Sequence, residues 1–150
     1  MPNWCETDFK LTGSSETISQ LTRDLNLNDF TEVDGFFNRV VPEPAELLDD
    51  TLTASDGTPD WFRWRMRNWD VKWEARPFTV NITSKSVSGS LSTPWGPPIK
   101  IFKTLATRYP ALKIKLKWFE AGMGFQGEMI LENGVVVFEE DKEYKGSRGG

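Results

Sequence analysis

A row of lysines in the last third of the chain has the spacing of an anion-binding strand. Lys113, Lys115 and Lys117 alternate with apolar residues, so on a β-strand their ammonium groups would share one face at steps of about 6.6 Å. This step is close to the phosphate spacing of extended single-stranded nucleic acid. The lysine row (these three residues) therefore predicts either a polyanion-binding surface or a solvated strand face that is protected from aggregation by its charges.

A second cluster combines arginines with tryptophans. Arg63, Arg65 and Arg67 are interleaved with tryptophans that include Trp64. Arginine with tryptophan can stack on bases, clamp phosphates or form a hot spot of a protein interface. On a helix, Arg63 and Arg67 share a face while Arg65 points elsewhere. We take Arg63, Arg67 and Trp64, with the lysine row, as the candidate anion- or partner-binding surface; the alternative is that the tryptophans are core and cap residues.

A glycine-rich loop is the third candidate site. Gly122, Met123, Gly124 and Phe125 could bring backbone N–H groups to a phosphate. The loop lacks the Gly-Lys-Ser/Thr sequence of nucleotide-binding loops, and it precedes a predicted strand where a dinucleotide motif requires a helix. We therefore expect a bulged or tight connection that requires positive φ.

The composition excludes several kinds of catalysis. There is no histidine and one cysteine, so histidine-based triads, imidazole acid–base catalysis and histidine-ligated metal sites are excluded. Cys5 lies in a predicted strand, where we expect it to be buried and inert. We assign no catalytic residue, metal or cofactor and expect a protein that is not an enzyme. A metal-dependent hydrolase built from carboxylates alone is the remaining enzymatic alternative.

The net charge of −4 hides a partition along the chain. Residues 1–60 carry 13 acidic and 3 basic side chains, residues 61–119 carry 2 and 12, and residues 120–150 carry 7 and 3. The three blocks therefore have net charges of −10, +10 and −4. We expect a dipolar surface if folding keeps these blocks apart.

The hydrophobic pattern predicts an α+β fold. Strands are predicted at 4–11, 69–74, 78–83, 112–118, 125–131 and 135–139, and helices at 15–25, 45–49, 60–68 and 99–109. Residues 84–91 are predicted to turn back against the strand at 78–83. The order is that of a ferredoxin-like split βαβ antiparallel sheet with two main helices on one face and an inserted Trp-rich helical segment.

One domain of ordinary size accounts for the length. We predict a single domain over residues 1–140 and a flexible, charged and Gly-rich tail over 141–150. The start of the chain shows neither a secretory signal nor a spanning segment, and a single cysteine suits a reducing compartment. We therefore expect a cytoplasmic protein with no membrane partner.

Several stretches together resemble one known family. They are Met1-Pro2-Asn3-Trp4-Cys5, Phe37-Asn38-Arg39-Val40-Val41-Pro42-Glu43-Pro44, Asn68-Trp69-Asp70-Val71-Lys72-Trp73, Thr93-Pro94-Trp95-Gly96-Pro97-Pro98 and Gly122-Met123-Gly124-Phe125. In this order they resemble the landmarks of the YubB/Api-like ferredoxin-like family, small proteins of uncharacterised function carried on bacterial plasmids, islands and phages. The resemblance implies a ferredoxin-like fold without an iron–sulfur cluster, and a mobile-element accessory role in the bacterial cytoplasm. It implies no catalytic residues.

We therefore expect a non-enzymatic accessory protein of a phage or plasmid that engages a host protein or small ligand, with counter-defence as one form of that role. The alternative is a single-stranded nucleic-acid-binding protein that uses a Lys/Arg and Trp surface. The two expectations differ in one structural respect. The alternative requires the lysine row, Arg63 or Arg67, and exposed indole rings to share one open surface.

Overall fold

The protein is described by a computed structural model that covers residues 3–27, 35–49, 51–75 and 78–146. In chain order, the strands and helices are β1 (Trp4–Thr12), α1 (Ser15–Asp24), α2 (Phe36–Val40), a 3-10 helix (Ala45–Leu48), α3 (Asp60–Trp69), β2 (Phe78–Ile82), β3 (Ser86–Pro94), α4 (Ile99–Arg108), β4 (Lys113–Glu120), β5 (Phe125–Glu132) and β6 (Val135–Glu143).

A six-stranded antiparallel sheet with the order β2-β3-β1-β4-β5-β6 is the centre of the fold. The first four strands in this order, with α1 and α4 as connections, form the split βαβ arrangement of a ferredoxin-like fold. The hairpin β5–β6 extends the sheet beyond β4, and α2, the 3-10 helix and α3 form an insertion between α1 and β2. The predicted α+β ferredoxin-like class is confirmed.

The core lies between one face of the sheet and the helices. Along β1 and β4, buried and outward side chains alternate, as the period of a half-buried strand requires. Helix α1 buries Ile18 and Leu21, and α4 buries a stripe of four residues at helical spacing: Ile101, Phe102, Leu105 and Ala106. In the described part of the chain, no helix covers the other face of the sheet. Among these residues, no helix is long and apolar enough to cross a membrane.

The strand predicted at 69–74 does not form. Helix α3 continues to Trp69, and Asp70 ends it in the left-handed conformation with φ of 70°. Trp69 and Val71 are both buried. A half-buried strand would also place these two side chains on one face, so their burial alone does not distinguish a strand from a helix end. The Glu74 carboxylate accepts hydrogen bonds from the N–H groups of Phe37 and Asn38, both at 2.8 Å, at the start of α2. Residues 70–75 therefore form an irregular segment that is fixed by side chains.

The hairpin predicted around Asn133 and Gly134 is confirmed, but its second strand is longer than predicted. Strand β6 continues to Glu143, three residues into the segment predicted as a tail, because backbone pairing with β5 extends to Phe125. Its charged residues suit an edge strand, where charges oppose association with another sheet. Residues 147–150 lie outside the described residues.

Candidate functional site

The lysine row lies on the open face of the sheet among charged neighbours of both signs, since Lys10 lies opposite Lys115. All three side chains are exposed. Lys117 is paired across the sheet with Asp8 on β1 and Glu128 on β5, and Lys113 forms an ion pair of 3.5 Å with Glu132. A depression of about 290 Å³ at Lys117 is lined by side chains of both signs. The row is therefore part of a mixed-charge face, and its cations are partly compensated.

Helix α3 places the other three candidate residues on the opposite side of the sheet. Arg63 forms an exposed ion pair of 2.7 Å with Asp60, and Arg67 is exposed. The Trp64 ring is partly buried against the core and lies 5.7 Å from the ring of Trp69. Because α3 packs on the helical layer, Arg63, Arg67 and Trp64 do not share a surface with the lysine row.

Arg65 anchors the inserted segment. Its guanidinium group donates two hydrogen bonds to the Glu43 carboxylate, at 2.7 and 2.9 Å, and one to the carbonyl oxygen of Lys72 at 3.0 Å. It also lies over the rings of Trp61 and Trp69, at 4.8 and 5.2 Å from their centroids. A bidentate and stacked arginine of this kind holds structure in place, so Arg65 is not free to bind a ligand.

The glycine-rich loop is held by Glu120. The buried Glu120 carboxylate accepts hydrogen bonds from the N–H groups of Gly122 and Met123, both at 2.7 Å. Gly124 has φ of 78°, as predicted for a tight connection, and a Cβ at Gly122 would lie 2.7 Å from the Asn3 side chain. Because two of its N–H groups bind Glu120, the loop does not present a cradle for phosphate.

The deeply placed carboxylates have structural roles. Glu43 binds Arg65, Glu120 holds the glycine-rich loop, and Glu74 caps α2. Burial raises the pKa of Glu74 above its ordinary value, although the two N–H donors oppose this. Within the described ranges, no three carboxylate or thiol side chains lie close enough together to hold a metal ion. The described residues therefore offer no cluster of three carboxylates for the metal-dependent hydrolase that the sequence leaves as an alternative.

Three exposed tryptophans from distant parts of the sequence converge at one end of the sheet. The ring centroids of Trp4 and Trp73 are 6.4 Å apart. The Lys72 ammonium group lies 4.1 Å from the ring centroid of Trp73 and 4.3 Å from that of Trp95, within the range of cation–π attraction. We call Trp4, Lys72, Trp73 and Trp95 the tryptophan cluster. Sequence reasoning missed it, because only the pairing of Trp4 with Pro94 brings β1 beside the Trp95 turn.

The backbone of Trp95 has an unfavourable conformation. Its φ of 69° lies in the left-handed region, which costs a side chain about 1–2 kcal/mol. The conformation is held by a 2.8 Å hydrogen bond from the Trp95 N–H to the carbonyl of Asn3, and by one of 2.6 Å from the Thr93 hydroxyl to the carbonyl of Gly96. Strain of this kind is concentrated at functional sites, and here it presents an exposed indole ring.

We predict that Trp95→Gly changes the free energy of unfolding by less than about 1 kcal/mol. Glycine relieves the left-handed strain, which offsets the lost cation–π contact of about 0.5–1 kcal/mol with Lys72. Urea denaturation monitored by circular dichroism measures the change. A loss of several kcal/mol would show that the ring supports the fold and would contradict its assignment as a surface residue.

The Cys5 thiol is expected to be unreactive in the folded protein. The residue is fully buried, and burial raises the pKa of the thiol to about 12, so the nucleophilic thiolate is scarce at neutral pH. A thiol reagent such as 5,5′-dithiobis(2-nitrobenzoic acid) is expected to label Cys5 in urea but not in native buffer. Rapid labelling of the native protein would contradict this assignment.

Comparison with known proteins gives a family model and a similar structure. Residues 68–148 match the model described as the ferredoxin-like domain in Api92-like protein. The crystal structure of a protein Api92 from Yersinia pseudotuberculosis is similar, with a TM-score of 0.63 and 10% sequence identity, over 98% of this chain and 99% of that one. No curated protein matches the sequence. At this identity the structural likeness shows a shared fold and carries no information on activity.

Proposed function

This chain belongs to the family of Api92-like proteins with a ferredoxin-like domain, and from that premise we propose that it is a non-enzymatic binding protein. Its role is that of an accessory protein of a bacterial phage or plasmid, as the resemblance in the sequence implies. It engages a host protein through the tryptophan cluster. A counter-defence role is one form that this engagement takes.

The exposed indole rings carry this proposal. The exposed fractions of Trp4, Trp73 and Trp95 are 40%, 38% and 46%. Tryptophan is enriched in interface hot spots because its large, rigid ring buries much apolar area at a low entropic cost. Three such rings at one end of a small domain form the kind of exposed patch that marks an interaction site.

Lys72 supports the cluster in a way that suits a protein partner. Its ammonium group contacts the faces of Trp73 and Trp95 and thereby fixes the spacing of the two rings before binding. Rings that are ordered in advance lose less conformational entropy when a partner binds.

The nucleic-acid alternative has weaker support. The lysine row lies on the open face of the sheet, whereas Arg63 and Arg67 lie on α3 in the helical layer. The row is interleaved with Asp8, Glu128 and Glu132. These positions offer a nucleic-acid strand no continuous cationic track of the kind that such proteins use.

A pull-down from bacterial lysate with the folded protein as bait tests the proposal. We expect one host protein to be retained in a stoichiometric amount and to elute without nucleic acid after nuclease treatment. Recovery of no stoichiometric protein would contradict the proposal. Retention that disappears on nuclease treatment would instead support the nucleic-acid alternative.

A further inference from the structure

A basic groove runs between α3 and α4, on the helical side of the protein. Its volume is about 600 Å³, within the range of small-molecule sites. Four cationic side chains line the groove: Arg67 from α3, and Lys100, Lys103 and Arg108 from α4. The other lining residues are Val41, Asn68, Thr104 and Thr107. No carboxylate is among these lining residues, in contrast to the depression beside the lysine row.

The sequence of α4 produces this groove. One stripe of the helix is apolar and buried in the core. The opposite stripe, at spacings i, i+3, i+4, i+7 and i+8, consists of Lys100, Lys103, Thr104, Thr107 and Arg108. It carries three cations, no anion and two hydroxyl groups over a length of about 12 Å.

Two of the four cations build the groove. The Lys100 ammonium group donates a 2.7 Å hydrogen bond to the carbonyl of Arg67 and lies 3.5 Å from the Asp70 carboxylate. Arg108 donates a 2.8 Å hydrogen bond to the carbonyl of Val40. These contacts join α4 to the end of α3 and to α2. The two helices that border the groove, α3 and α4, are therefore held in fixed relative positions.

The other two cations line the groove and have no counter-ion among the described residues. Arg67 and Lys103 are exposed, and across residues 3–27, 35–49, 51–75 and 78–146 their side chains form no hydrogen bond or ion pair. Among the described residues, the four lining cations and the Asp70 carboxylate leave an excess of three positive charges. Such an excess attracts a compact polyanion.

We propose that this groove binds a small oligophosphate, the charged part of a nucleotide-type ligand. The planar guanidinium group of Arg67 donates hydrogen bonds to phosphate oxygens, and Lys103 contributes a positive point charge. The hydroxyl group of Thr107 lies on the same stripe of α4. A small ligand fits better than a nucleic-acid strand, because the lysine row that would continue the track lies on the other side of the sheet. The groove is separate from the tryptophan cluster and does not depend on the proposed function.

Calorimetric titration with inorganic tripolyphosphate tests this site. The wild-type protein is expected to bind it, and Arg67→Glu/Lys103→Glu is expected to weaken binding at least tenfold. Neither of these side chains forms a hydrogen bond or ion pair within the described ranges, so the substitutions remove no such contact there. Lys115→Glu/Lys117→Glu is the matched control: it changes the net charge by the same amount on the opposite side of the sheet, and it is expected to retain binding.

Three outcomes would overturn the proposal. Equal loss in both double variants would show non-specific charge attraction. Binding of a single-stranded oligonucleotide without binding of tripolyphosphate would indicate a polymer site, and no binding of either probe by the wild type would remove the site altogether. Thermal unfolding of each variant shows whether a loss of binding reflects a loss of fold.

Discussion

Trp73→Ala/Trp95→Ala is expected to weaken binding of the protein partner by about 100- to 1,000-fold. Truncation of a hot-spot residue costs about 2 kcal/mol or more, and each 1.4 kcal/mol is a factor of ten in Kd. The double substitution removes both rings that contact Lys72, so the remaining ring of Trp4 loses its neighbour as well. Calorimetry with the captured partner gives the two dissociation constants.

A matched double variant separates the cluster from general surface hydrophobicity. Val137 and Phe138 on the edge strand β6 have exposed fractions of 52% and 40%, close to those of the tryptophans. We expect Val137→Ala/Phe138→Ala to bind as the wild type does. Equal weakening in both double variants would mean that the tryptophan cluster is not the contact surface.

Trp69→Ala is expected to lower the free energy of unfolding by about 3–5 kcal/mol, the usual cost of removing a buried tryptophan. The Trp69 ring is 1% exposed and lies 5.8 Å from the ring of Phe37. Its indole N–H donates a 2.9 Å hydrogen bond to the carbonyl of Val41. The substitution leaves a cavity and an unsatisfied carbonyl group. It also removes one of the two aromatic rings that the guanidinium group of Arg65 contacts.

Urea denaturation of Trp69→Ala and Trp95→Gly, measured side by side, tests the division of the tryptophans into core and surface. We expect a large decrease in the denaturation midpoint for the first and almost none for the second. Similar decreases for both would show that the exposed ring is also part of the folding core. A negligible effect of Trp69→Ala would show that α3 is not packed as described.

Much of the fold follows from periodicity in the sequence. Strict alternation over residues 112–118 predicts β4, and the 3.6-residue spacing of Ile99, Phe102, Leu105, Ala106 and Tyr109 predicts α4, each to within two residues at either end. The segment after Trp69 could not be predicted in this way, because a buried Trp69 and Val71 suit a strand and a helix end equally. The left-handed conformation of Asp70 decides between them, and its side chain accepts a 2.9 Å hydrogen bond from the N–H of Lys100. That contact depends on the tertiary fold.

The candidate sites were harder to predict than the fold. The tryptophan cluster requires the register of β1 with β3 and the path of residues 70–75, neither of which is visible in the sequence. The basic groove is indicated in part by the sequence, because residues 75–119 contain no acidic residue. The outward stripe of α4 is therefore cationic. The alternating lysines of β4 form the more regular pattern in the sequence.

The charge partition along the chain is partly cancelled by folding. Glu43 from the acidic first block binds Arg65 from the basic block, and Asp60 binds Arg63. Across the sheet, Asp8 lies opposite Lys117. Within the described residues, the side chains of Arg67 and Lys103 form no ion pair, so the basic groove keeps part of the positive charge of the middle block.

Site-specific photo-crosslinking tests the central claim, that the end of the sheet with the tryptophan cluster binds a host protein. Met123 is 70% exposed in the loop beside Asn3, next to the cluster, and Val135 is 58% exposed at the opposite end of the sheet. With p-benzoylphenylalanine at either position in bacterial cells, we expect one covalent adduct from position 123 and none from position 135. Adducts from position 135 alone, or the same adducts from both positions, would contradict the claim.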